Sequence, residues 1–145
     1  MLSGPRRDNV DMRKPPTDWE TTPDGERAQA DSVAGFYSVL FSHPSVRAIT
    51  WWDFSDRGAW QNAPAGLLRK DMSPKPAYDR LMRLIKHDWW TDETARTDRN
   101  GTIKTRAFYG DHAITVTDAR GGRKASATLA LPTGSGPRTV TLTLR

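Results

Sequence analysis

Thr50-Trp51-Trp52-Asp53-Phe54-Ser55-Asp56-Arg57-Gly58-Ala59-Trp60 concentrates three indoles and two carboxylates in one short run. An indole offers a flat apolar face with an N–H donor at its rim. A sugar ring offers flat C–H faces with hydroxyls around the edge, so the two suit each other. Along an extended chain, alternation sends Trp52 and Phe54 to one side and Trp51 and Asp53 to the other. The same indoles would equally serve as core. Asp53 and Asp56 stand three residues apart on one strand end. That is too close for two acids that must flank a bond from opposite sides, and structural hydrogen bonding suits them better.

Other reactive residue types are sparse. Glu20 lies in a Pro-rich loop and follows no apolar strand, which argues against a nucleophile. His43, His87 and His112 lack metal-ligand spacing. Gly121-Gly122-Arg123 reads as a hairpin turn, not a phosphate loop. Arg96, Arg99, Lys104, Arg106, Arg120, Arg123 and Lys124 are spread over the C-terminal part and read as a solvated face. No aromatic ladder accompanies them, which argues against single-strand nucleic-acid binding.

The elements that would position the Trp-rich run can be read on either side of it. Residues 1–25 carry Pro5, Pro15, Pro16 and Pro23 and read as an irregular loop whose large apolar side chain is Trp19. Thr22-Pro23-Asp24-Gly25-Glu26 is a helix start: a capping hydroxyl, a proline in the first turn, and acids at the positive end of the dipole. Val33, Phe36, Tyr37, Leu40 and Phe41 then recur at helical spacing. Pro44 ends that helix by forcing His43 out of the helical region. Val46 to Phe54 reads as a strand, and its near-continuous apolar character predicts a parallel sheet covered on both faces. Its C-terminal end is where α/β folds bind ligands. Ser55 to Lys70 is a loop. Ser73-Pro74-Lys75-Pro76 opens a second helix with Tyr78, Leu81, Met82 and Ile85 at helical spacing.

The character changes near residue 92. Four alternating runs follow, at Ile103–Phe108, Ile114–Val116, Ala127–Leu131 and Val140–Leu144, separated by glycine-rich turns. They predict a small antiparallel, β-sandwich-like module over 92–145, set apart from 1–91.

Composition bounds the rest. The chain has 145 residues, 36% hydrophobic and 27% charged, with a formal net charge of +5. No apolar run reaches the roughly 20 residues of a spanning helix, so no membrane partner is expected. Cysteine is absent, which excludes disulfides, thiolate zinc sites and cysteine nucleophiles. A complete (β/α)8 barrel needs roughly 200 residues or more and cannot fit.

Five blocks carry a family resemblance: His43-Pro44-Ser45-Val46, Ile49 to Asp56, Gly58-Ala59-Trp60, Gly66 to Asp71, and Pro74-Lys75-Pro76-Ala77-Tyr78. In order and spacing they resemble the C-terminal end of the catalytic barrel of glycoside hydrolase family 10, the xylanase family. The fold implied is α/β, the incomplete C-terminal portion of a (β/α)8 TIM barrel over 1–91, followed by the β module. The resemblance implies that Trp52 and Trp60 line the sugar subsite beside the cleaved bond. It makes Asp56 a loop-fixing acceptor, with Asp53 in support where the family pattern has glycine. Gly66, Leu67, Leu68, Pro76 and Tyr78 become packing positions. The family's acid/base and nucleophile end the fourth and seventh strands, and no strand-ending Thr-Glu is present. The expectation is a fragment of a retaining β-1,4-xylan hydrolase with no catalytic residue of its own and inactive alone. Its partners would be the polysaccharide and the missing N-terminal part of the barrel. No metal or cofactor is implied, nor a nucleic acid. Secretion or a periplasmic location is implied by the family and not by the chain. The alternative is a non-catalytic carbohydrate-binding accessory protein.

Overall fold

The computed structural model describes residues 1–11 and 13–144. The chain divides into two compact units, Met1–Trp90 and Thr91–Arg145.

In the first unit, helix α1 spans Pro23–Ser42. Thr22 caps it: its hydroxyl accepts the Gly25 N–H at 3.1 Å, while Pro23 fills the first turn, where no N–H is needed. His43 closes it in an extended conformation, with φ −88° and ψ 120°, as Pro44 requires. Helix α2 spans Pro76–Arg83, and a wider π-type turn over Leu84–Asp88 continues it. In that turn the Trp89 N–H reaches back to the Leu84 carbonyl at 2.8 Å. This carries the Trp89 ring onto Phe41, with centroids 4.2 Å apart and planes 4° from parallel.

α1 and α2 pack together over a core of Ala30, Val33, Tyr37, Leu67, Ala77 and Leu81, with Ile49, Trp51 and Trp89 against it. Glu26, Gln29, Ala30, Val33 and Tyr37 form the buried seam of α1. Phe36 and Phe41, expected on the same stripe, are nearly half exposed, and Met82 and Ile85 of the second helix region are more than a third exposed. The apolar arc is wider than the surface that covers it among the described residues.

The predicted strand Val46–Phe54 is not a strand. It runs without a ladder partner among the described residues, and only Ser55, just beyond it, forms an isolated parallel bridge, to Leu68. A β-rich composition makes a segment able to pair, but the strand exists only when a neighbour supplies hydrogen bonds. The alternation of its side chains nonetheless persists: Trp52 and Phe54 are exposed, whereas Trp51 and Asp53 are partly buried. Among the described residues the expected parallel sheet, covered on both faces, is not formed.

The loop after it is anchored tightly. The Leu67 and Leu68 N–H groups both donate to the Phe54 carbonyl, at 3.0 and 3.1 Å, and the Asp56 N–H donates to Leu68 O at 2.9 Å. Gly66 permits this crossing, because a Cβ there would stand 2.4 Å from the Ser55 carbonyl carbon.

In the second unit, β1 (Gly110–Thr117) pairs antiparallel with β2 (Lys124–Leu131), with Ile114 opposite Ala127 and Thr115 opposite Ser126. The expected four-stranded, sandwich-like module reduces to this pair among the described residues. The turn explains which runs paired. Asp118 N–H donates to Arg123 O at 3.0 Å, and the Asp118 carboxylate accepts the Gly122 N–H at 2.9 Å, closing the hairpin locally. The runs expected at Ile103–Phe108 and Val140–Leu144 form no ladder among the described residues.

Candidate functional site

The Trp-rich run divides into an exposed side and an anchored side. Trp52 and Trp60 are 77% and 61% exposed, and Phe54 is also open to solvent. Neither Trp52 nor Trp60 belongs to the core of this unit. Trp51 is the opposite. It packs against Tyr37 with centroids 6.2 Å apart, and its Nε1 is buried without a hydrogen-bond partner among the described residues.

The two acids have separate fates. Asp53 takes a left-handed backbone, φ +61°, and its Oδ2 accepts the Trp60 backbone N–H at 3.2 Å. Trp60 opens a short 3-10 turn, Trp60–Asn62. Asp56 turns inward and is buried. Its carboxylate accepts the Gly66 N–H at 2.8 Å and pairs with Lys75 Nζ at 2.7 Å. Lys75 is fully buried, and its ammonium also donates to Ser3 Oγ at 2.9 Å. Burial lowers the Lys75 pKa, and the hydrogen bond and charge of Asp56 offset part of that effect.

Ser3 is the hub of this buried polar knot. Its N–H and hydroxyl both donate to Pro64 O, at 2.9 and 2.8 Å, and its carbonyl accepts the Thr22 N–H at 2.8 Å. Beside it, Glu26 and Arg69 form a two-pronged pair, Nε to Oε1 at 2.7 Å and Nη2 to Oε2 at 2.5 Å. Burial acts to raise the Glu26 pKa, but hydrogen bonds from Arg69 and Thr21 outweigh it. The net shift is below the ordinary 4.5.

The remaining acid considered as a nucleophile, Glu20, accepts from Lys70 Nζ at 2.6 Å at the surface. Glu20, Glu26 and Asp56 are thus held by cations, and Asp53 is held by a backbone N–H. Among the described residues no group of three or more His, Asp or Glu side chains could hold a metal ion. Among the described residues no helix is long and apolar enough to cross a membrane.

Sequence reading missed Lys75, Ser3, Glu26 and Arg69 as a network. Their partners lie far apart in the chain, so no local pattern joins them. It also missed the left-handed turn at Asp53, which alternation alone hides.

Comparison with known proteins adds two findings. Glycosyl hydrolase family 10 matches residues 9–84. Among curated proteins, the chain is similar to the anti-sigma-I factor RsgI6 of Acetivibrio thermocellus, 34% identical over 120 residues. That alignment covers 83% of this chain and 16% of the relative, so the chain spans under a fifth of that protein's length. An alignment of 120 residues cannot fit within Met1–Trp90, so the likeness continues into the second unit.

Proposed function

The chain belongs to glycosyl hydrolase family 10, and from that membership we propose that it supplies one wall of a sugar-binding cleft, with Trp52 and Trp60 as its stacking faces. Family membership supports the barrel end as the architecture behind that wall. The observation that carries the reading is the pair of indoles left open to solvent on a segment whose backbone is tied down on its other side. A binding surface needs apolar faces that are presented and do not collapse, and this is how such faces are held.

On this reading the protein acts on β-1,4-xylan or a related plant polysaccharide. Hydrolysis would proceed with retention, through a covalent glycosyl-enzyme formed between two carboxylates about 5–5.5 Å apart. In the family those carboxylates end the fourth and seventh strands, so on this reading other polypeptide supplies them, while Glu20, Glu26, Asp53 and Asp56 are each held by a structural partner. Trp52 and Trp60 hold the sugar; Asp56 and Lys75 hold the loop.

The test is a fluorescence titration of the full chain with xylo-oligosaccharide. A saturable change in tryptophan emission is expected, weakened up to about tenfold by Trp52→Ala or Trp60→Ala. The chain alone should release no reducing sugar from xylan. Absence of any saturable change would sink the cleft-wall reading, and hydrolysis by the chain alone would sink the assignment of the carboxylates.

A second reading, a non-catalytic carbohydrate-binding protein, is favoured by one observation: the curated relative is named as an anti-sigma-I factor and not as a hydrolase. The natural protein expressed from its own gene discriminates them. It releases reducing sugar on the first reading and binds without release on the second.

A further inference from the structure

Three of the left-handed non-glycine residues among those described, Asp53 (φ +61°), Gln61 (φ +58°) and Asn62 (φ +55°), bracket Trp60. Side chains rarely adopt this conformation without a compensating contact, although Asp and Asn tolerate it best. At Asp53 the contact is visible: the turned backbone brings Oδ2 to the Trp60 N–H at 3.2 Å. At the other end of the 3-10 turn, Asn62 Nδ2 donates to the Pro16 carbonyl at 3.2 Å. The Trp60 loop is therefore clamped at its entry and its exit. Within and just after the turn, the Asn62 N–H donates to Ala59 O at 2.9 Å and the Ala63 N–H donates to Trp60 O at 3.2 Å.

We propose that Asp53 is a positioning residue whose carboxylate, by holding the Trp60 backbone N–H, sets the direction in which the Trp60 indole is presented. Its contribution to sugar binding rests on the cleft-wall reading above; its hold on Trp60 does not. The acceptor matters here rather than the charge, because the partner is an uncharged N–H. Asp53→Gly removes the acceptor while leaving a residue at ease with φ +61°, so folding is not put at risk. Asp53→Asn keeps an acceptor oxygen and tolerates the same backbone.

The experiment labels the full chain with 5-fluorotryptophan and follows the Trp60 fluorine resonance, assigned by its loss in Trp60→Phe. Each variant is also titrated with xylo-oligosaccharide. Asp53→Gly is expected to shift or narrow the Trp60 resonance as the ring gains freedom, with little change in thermal midpoint, and to weaken binding about tenfold. Asp53→Asn is expected to restore both to near the starting values. An unmoved Trp60 resonance in Asp53→Gly overturns the proposal, as does an Asp53→Asn variant as perturbed as Asp53→Gly. If the unaltered chain binds no oligosaccharide, the cleft-wall reading fails, while the fluorine resonance still decides the role of Asp53.

Discussion

Lys75 is the residue on which the first unit's interior turns. A buried ammonium is tolerated because Asp56 and Ser3 satisfy it, and Asp56 is tolerated because Lys75 and the Gly66 N–H satisfy it. Removing one partner strands the other. Lys75→Met should cost about 3–5 kcal/mol in urea unfolding, and adding Asp56→Asn, which keeps the acceptor for Gly66, should recover part of it. The Glu26–Arg69 pair makes a second prediction, in pH. The folded carboxyl is shifted below 4.5, so the pair stabilises the protein above the unfolded value. That stabilisation is lost as pH falls through the folded pKa. Thermal midpoints measured from neutral pH into that acid range should fall more steeply for the unaltered chain than for Glu26→Gln. Asp53 and Asp56 were legible as candidate site acids because they sit among tryptophans. Glu26 read as a first-turn acid of a helix and Lys75 as part of a helix opening, and neither local reading shows their burial, which depends on what folds over them.

At the scale of elements, α1 was the most legible part of the sequence because every signal for it is local: Thr22, Pro23, the seam through Val33 and Tyr37, and Pro44. Thr22→Ala should cost about 1 kcal/mol by removing the acceptor for the Gly25 N–H, as read by thermal unfolding. Leu81, buried between the helices, should cost about 2–5 kcal/mol as Leu81→Ala. The segment 46–54 was misread because strand identity belongs to a pair of segments and not to one. Its β-branched and aromatic residues carry propensity, while the partner that would turn propensity into a ladder is absent from the described residues. The hairpin succeeded where the outer runs did not because Asp118 and Gly121 build a turn that holds its strands in register.

Across the whole molecule, the two units differ in what protects their backbones. The first buries side chains between helices; the second rests, among its described strands, on one antiparallel pair, a marginal structure by itself. Amide hydrogen exchange should therefore be slowest around Val33 and Leu81 and faster across β1 and β2; equal protection would count against this ranking. The Ser3 knot has a consequence for how the protein is made. Ser3 and Lys75 are separated by 72 positions. At a synthesis rate of roughly 5–20 residues per second, Ser3 waits about 4–15 s on the ribosome before Lys75 is even polymerised. During that interval α1 can form from its own local signals, but its first turn has no lysine-tied hub to dock on. A helix formed in that interval precedes its anchor, and that is when a chaperone would have the most to shield.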